Sequence, residues 1–408
     1  MFEPRSETGR AIDVLWDRLL LIGTIVFILV ELALVYVVIR YRRRPTDTGK
    51  PPQTHGHTVL EVIWTLIPAF ILLFIAVPTV KTIFQTQARV ATGTLDIEVI
   101  GHQWWWEFRY PEYNVVTANE IYIPTGRTVN FKMTSNDVIH SFWVPQLAGK
   151  RDAITNRTNY LWFTPDSSLG PSVWNGFCTE YCGTSHAKMH FRVFTVKPDQ
   201  FASWIAGQQK PAAFGAVATA PQPMLPAFPG SRERMTGVEG GAAHASPAAT
   251  SSPSPAPATG VATASLASGY TFPRNQAEFD YAKPHTPVPA GLTFTKGLTG
   301  NAARGQQVYS STACIGCHVV NGNPMSMGVV GPNLTHFGSR ATIGAGSFPN
   351  TPAYLALWIK NARAMKPGIL MPTLGKNQYD PQLKQPVTTG GLDDQQIADI
   401  VAYLMSLK

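Results

Sequence analysis

The sequence predicts a multidomain membrane protein: a two-helix transmembrane hairpin (1–90, helices near 15–40 and 59–86), an all-β domain (91–206), a disordered or extended linker (207–290) and an all-α domain (291–408). Three observations carry this expectation. Two apolar stretches have membrane-crossing length, a block of short alternating runs follows them, and an Ala/Pro/Ser-rich tract separates that block from a region of helical periodicity. At 408 residues the chain has room for two domains of ordinary size plus such extras.

The first apolar stretch, from Leu19 to Ile39, is broken only by Glu31, and the second, from Val59 to Phe84, mainly by Glu61, two prolines and Lys81. Each has the ~20 residues needed to span a bilayer. A cleaved leader fits the first poorly, because its apolar part is too long and its flank is acidic as well as basic. Arg40, Arg42, Arg43, Arg44 and Lys50 all lie between the stretches, so the inter-helix loop is expected on the cytoplasmic side and everything beyond about Gln85 outside. The net charge of +8 does not point to nucleic acid, since the only dense basic run abuts the first helix. The lipid bilayer is the expected partner. A carboxylate in lipid must face protein or water. Glu31 is therefore expected against a partner helix, whereas Glu61, near the cytoplasmic end, could either snorkel or serve proton entry.

Leu95–Ile100, Glu120–Pro124, Thr128–Met133, Asn159–Phe163 and Phe191–Val196 alternate with period two between Gly, Pro and Asn breaks, which argues for an antiparallel sandwich or barrel. In the same region Cys178, Cys182, His186 and Met189 crowd into one loop, and His140 stands at a strand edge. Thiolate, thioether and imidazole suit copper or zinc. A mononuclear blue-copper site needs one cysteine, and this loop has one too many. Two thiolates could instead bridge two coppers, with His140 and His186 as terminal ligands and Met189 and a main-chain carbonyl as weak ones. A Cys178–Cys182 disulfide is the alternative.

Residues 207–290 are dominated by Ala, Pro, Ser, Thr and Gly, too little apolar surface to offset chain entropy. We expect a tether ordered, if at all, by partner subunits, with His244 and His285 solvated. In the last domain Asn301–Tyr309 could form a helix, and Asp393 with Gln396 makes a capping box ahead of Ile397, Ile400, Val401 and Leu404 on one face. Cys314-Ile-Gly-Cys317-His318 is the attachment sequence of a c-type haem: two thioethers to the vinyls and His318 on the iron. A zinc site would need further ligands, and only His336 is near. For the sixth haem ligand a methionine suits an electron carrier, and Met325, Met327, Met365 and Met371 all follow the motif.

Gly101–Phe108 (GHQWWWEF), Val138–Pro145 (VIHSFWVP), the Cys178–Met189 loop and Leu60–Pro68 (LEVIWTLIP) together resemble subunit II of haem-copper cytochrome c oxidases, from about Trp16 to Trp204. The resemblance implies a cupredoxin-like, all-β Greek-key barrel carrying a dinuclear copper (CuA) centre held by His140, Cys178, the carbonyl of Glu180, Cys182, His186 and Met189. It also implies a magnesium ion at the interface with subunit I that the Glu180 carboxylate reaches, a proton-channel mouth at Glu61 and electron entry at Trp104. Trp105 stands where many relatives carry Tyr. Trp358–Pro372 and Gly331-Pro-Asn-Leu334 resemble class I cytochromes c, in which the Met before Pro is the ligand, here Met371, with Met365 as the other option.

The combination resembles the caa3-type oxidase. It implies electrons passing from the fused haem c to CuA and on to subunit I, which reduces O2 to water coupled to proton translocation. This chain itself offers no residue for the O2 chemistry. Expected partners are subunit I, other oxidase subunits and an upstream cytochrome or quinol-oxidising complex. The expected location is a bacterial inner (plasma) membrane, with the copper and haem domains on the periplasmic or outer side. Arg304, Arg340, Lys360, Arg363, Lys366, Lys376 and Lys384 outnumber the aspartates of the last domain, suggesting a basic docking face. The competing readings are the equivalent subunit of a nitric oxide reductase and a membrane-anchored copper-binding or delivery protein.

Overall fold

The computed structural model describes residues 3–46, 49, 55–87, 93–212, 269–273 and 286–408. Two helices open the chain, α1 (Glu7–Arg40) and α2 (Thr58–Gln87), each long and apolar enough to cross a membrane. α1 starts well before the apolar stretch, earlier than its composition suggests. Ser6 caps it by accepting from the Gly9 N–H, and Arg10 pairs with both carboxylate oxygens of Asp166 at 2.8 and 2.9 Å. The Thr164 N–H donates to Glu7 and the Arg5 N–H to the Gln146 carbonyl. Tertiary contacts thus extend the helix into a polar turn that ties the membrane anchor to the β domain.

That domain comprises β1 (Leu95–His102), β2 (Trp105–Tyr110), β3 (Val115–Ala118), β4 (Glu120–Pro124), β5 (Val129–Ser135), β6 (His140–Trp143), β7 (Arg151–Ala153), β8 (Asn159–Phe163), β9 (Ser172–Cys178) and β10 (His190–Val196). They form two five-stranded sheets, ordered β3-β2-β1-β5-β8 and β4-β10-β9-β6-β7. The domain is cupredoxin-like, as expected, but not purely antiparallel: β1 pairs in parallel with β5, and β4 with β10. The chain passes through β2, β3 and β4 between β1 and β5, a connection long enough for a parallel return. Alternate residues of β1 and β5 point inward, and Trp106, Phe108, Phe142 and Phe191 meet between the sheets with ring centroids 4.6–6.4 Å apart.

Helix α3 (Pro198–Gln208) packs Phe201 and Trp204 on Tyr110 and Tyr122. Most of the expected tether, including His244 and His285, lies outside the described residues. Its described parts touch this chain. Phe272 is buried against Phe194, and the Ala212 N–H donates to the Asn321 carbonyl in the last domain.

The last domain holds α4 (Ala302–Ser310), α5 (Cys314–Cys317), α6 (Pro352–Lys360), α7 (Ala362–Met365) and α8 (Asp394–Ser406). Asn301 caps α4, and Asp393 with Gln396 forms the capping box of α8. α4 and α8 cross so closely that a Cβ on Gly305 would run into the Asp399 carbonyl. The basic face is smaller than composition suggests. Arg304, Lys360 and Arg363 are paired with Asp399, Asp394 and Asp380, and Lys366 is buried.

Candidate metal and haem sites

β6 begins at His140 and β9 ends at Cys178, so adjacent strands deliver an imidazole and a thiol to one end of the barrel. The loop from Cys178 to Met189 then folds back over that end. Cys178 Sγ lies 3.7 Å from Cys182 Sγ, 3.8 Å from His140 Nδ1 and 3.3 Å from the Glu180 carbonyl. Cys182 Sγ lies 3.6 Å from His186 Nδ1 and 3.8 Å from Met189 Sδ. Both thiols are free. His140, Cys182 and Met189 are almost wholly buried, His186 is half-buried, and the Glu180 side chain is exposed. The spacing brings all six sequence-derived groups together around the two sulfurs.

Electrostatics favour cations here. The neighbouring Cys182 pulls the Cys178 thiol down, while Cys178 and burial drive Cys182 up. Soft cations bind such sulfurs as thiolates, so metal binding releases the protons they carry. Two neighbouring thiols, two imidazoles, a thioether and a carbonyl are a donor set that fits soft cations of the copper type.

One functional neighbour escaped the sequence reading. Asp137 Oδ1 lies 2.8 Å from His140 Nε2, and Asp137 also accepts from the N–H groups of Gln103 and Val138. Burial alone would raise its pKa, but these hydrogen bonds hold it below the usual carboxylate range. A carboxylate on Nε2 leaves Nδ1 as the lone pair facing the thiols. Asp-x-x-His was the available signal.

Trp104 sits in the turn between β1 and β2, not in a strand, and its Nε1–H donates to the Cys182 carbonyl at 2.8 Å. Trp105 stacks on His102, and Trp106 enters the core beside His140. Glu61 occupies the first turn of α2, far along the sequence from these groups.

In the last domain α5 sets Cys314 and Cys317 one turn apart. His318 Nδ1 is 2.8 Å from the Pro332 carbonyl, a contact only a protonated Nδ1 makes, so Nε2 keeps its lone pair. Burial lowers the His318 pKa and favours that neutral form. A Cβ on Gly331 would lie 2.6 Å from His318 Cε1, so this glycine is required for the ring to rest on the Gly-Pro-Asn-Leu loop. Two thiols and a lone-pair imidazole fit covalent haem. His336, the other potential ligand, faces the main-chain carbonyls of Gln208 and Lys210. Met365 is fully buried in the haem-domain core, whereas Met371 is half-buried against the cores of both domains.

Two helices of membrane-crossing length, a cupredoxin-like domain with a two-cysteine loop and a cytochrome c-like domain with its Cys-x-x-Cys-His segment define the architecture of a subunit II of haem-copper oxidases fused to a cytochrome c. Family models agree: residues 4–82 match the transmembrane domain of cytochrome c oxidase subunit II, 114–196 its periplasmic domain and 302–408 cytochrome c. Cytochrome c oxidase subunit 2 of Alkalihalophilus pseudofirmus is 28% identical over 403 residues, 97% of this chain and 87% of that one. The probable cytochrome c oxidase subunit 2 of Rickettsia bellii is 34% identical over 234 residues, 52% of this chain and 84% of that one. The periplasmic domain of subunit II of the Bradyrhizobium japonicum cytochrome oxidase is 30% identical, with 30% of this chain and 97% of that one covered and a TM-score of 0.28. The chain belongs to the cytochrome c oxidase subunit II family, with a fused cytochrome c domain, and is thus part of a haem-copper oxidase complex.

Proposed function

We propose that this chain is the electron-entry subunit of a caa3-type oxidase, conveying electrons from its own c-type haem to a dinuclear copper centre and on to subunit I, where O2 is reduced to water with proton translocation. The observation that carries this reading is the pair of free sulfurs 3.7 Å apart, ringed by His140, His186, Met189 and the Glu180 carbonyl. When bound, the copper pair and the haem supply reversible one-electron exchange in which no bond of the protein forms or breaks. The chain's residues do the rest. Cys178, Cys182, His140, His186, Met189 and the Glu180 carbonyl would hold the copper pair, and Asp137 orients His140. Cys314, Cys317, His318 and Met371 would hold the haem. Trp104, bonded to the Cys182 carbonyl, is the electron entry to the copper loop.

The exposed Glu180 carboxylate supports a magnesium ion shared with subunit I, and Glu61 in the first turn of α2 supports a proton-channel mouth. Arginines 42–44 after α1 support a cytoplasmic inter-helix loop, with both redox domains on the outer face of a bacterial plasma membrane. The donor would be an upstream cytochrome or quinol-oxidising complex. Copper delivery is disfavoured, because release needs access and His140, Cys182 and Met189 are buried. Electron paramagnetic resonance and near-infrared absorption of the intact complex should report a mixed-valence copper pair, and turnover should be faster with O2 than with nitric oxide. A single labile copper, or preference for nitric oxide, would overturn the proposal.

A further inference from the structure

Three buried ionisable side chains that the relay does not use, Glu120, Arg192 and Lys366, reach between the copper and haem domains, Arg192 by donating to the Gly346 carbonyl. Glu120, which opens β4, is 3% exposed and directs its carboxylate out of its own domain. It accepts from the main-chain N–H groups of Ala341 and Thr342 at 2.9 and 2.7 Å and from the Thr342 hydroxyl at 2.9 Å. Lys366, 2% exposed, reaches the other way: its Nζ donates to the Trp104 carbonyl at 2.6 Å, and to the Gly344 carbonyl of its own domain at 3.1 Å. Next to Lys366 in the chain, the Pro367 carbonyl accepts from the Ser185 hydroxyl at 2.6 Å. Gly368, at φ +87°, lies so close to the indole of Trp104 that a Cβ would stand 2.8 Å from Cη2.

We infer that Glu120 and Lys366 are positioning residues that hold the haem domain in one fixed seat, sealing Trp104 beneath the 366–368 turn against any soluble donor protein. Both are shut from water while the domains are closed and make hydrogen bonds to polar groups of the opposite domain, so removing the partner of either leaves a buried polar group unsatisfied in the closed interface. A face built for repeated docking and release would keep its charges wet. The chemistry selects the partner too, since an external donor must address the haem domain rather than the copper loop. This inference rests on the electron-entry reading above for its meaning, but not for its test.

Hydroxyl-radical footprinting of the intact, metal- and haem-loaded complex, read by mass spectrometry, compares Trp104 with its neighbour Trp105. Trp104 should be labelled several-fold more slowly. Lys366→Met and Glu120→Gln should each raise Trp104 labelling several-fold and speed amide hydrogen exchange across 340–343, with the haem visible band and the copper near-infrared band unchanged. The intramolecular electron-transfer rate after photochemical reduction of the haem should fall in both variants. Equal labelling of Trp104 and Trp105 in the unaltered protein, or unchanged protection in the variants, would overturn the fixed seat. If Lys366→Met fails to fold, Glu120→Gln and the unaltered protein still decide. A missing near-infrared band in the unaltered complex would count against the electron-entry reading while the footprint still judged the seat.

Discussion

Gly101 faces His140 across the barrel end, where a Cβ would lie 2.5 Å from the imidazole Cδ2 and 3.0 Å from Cγ. The ring is fully buried and held at Nε2 by Asp137, so it has little room to retreat. Gly101→Ala should therefore displace Nδ1 from Cys178 and bleach the copper near-infrared band, while the β domain stays folded by circular dichroism. Asp137→Ala acts on the same ring through Nε2. Removing an orienting partner of a metal-bound histidine typically lowers affinity about 10–100-fold, a loss that chelator competition would measure. Unchanged affinity would mean that packing against Trp106 alone fixes the ring. Cys178→Ser removes one of the two paired sulfurs, and metal analysis should then find less than the full copper complement with no mixed-valence signal.

Among elements, the α4–α8 crossing carries a pH dependence that can be signed. Asp399 on α8 accepts from Arg304 Nε and Nη2, from the Asn301 N–H and from Gln395, and the Arg304 guanidinium holds its carboxyl below the usual range. The folded pKa is depressed, so this contribution to stability is full above the unfolded value near 4 and is lost as pH falls through the folded value. Asp399→Asn should lower the thermal midpoint of the haem domain by several degrees at pH 7 and flatten its acid dependence below pH 4; a melt followed at the haem band checks both. This crossing was legible in the sequence, because Asn301, Asp393 and Gln396 are local capping signals and Ile397, Ile400, Val401 and Leu404 mark one face. The copper loop was legible for the same reason, since four of its ligand side chains fall within 178–189. What escaped was long-range. The early start of α1 depends on Asp166, 156 residues from Arg10. The parallel pairing of β1 with β5 depends on where the chain returns, and the Glu120–Thr342 contact joins residues 222 apart. None of these leaves a periodic pattern.

At the scale of the whole molecule, the contacts form one chain of attachment. α1 is tied to the copper domain through Glu7 and Arg10, the copper domain to the haem domain through Glu120 and Ser185, and the tether's Phe272 packs back onto Phe194. A tether alone would raise the local concentration of the haem domain and leave each electron step to a fresh encounter. A fixed seat replaces encounter with geometry, and the two cases respond differently to salt. Encounters steered by exposed charges weaken as the Debye length shrinks, from about 10 Å at 0.1 M toward 3 Å at 1 M, whereas buried charges are screened far less. Glu120 and Lys366 are both buried, and their partners are main-chain dipoles and a hydroxyl rather than exposed ions. The haem-to-copper transfer rate in the intact complex should therefore stay flat as ionic strength rises to about 0.5 M, while delivery from an external protein donor slows. Flash reduction of the haem, followed at the copper near-infrared band across a salt series, separates the two steps. A transfer rate that declined with salt would mean that the haem domain leaves its seat between turnovers and that exposed charge, not the buried pair, brings it back.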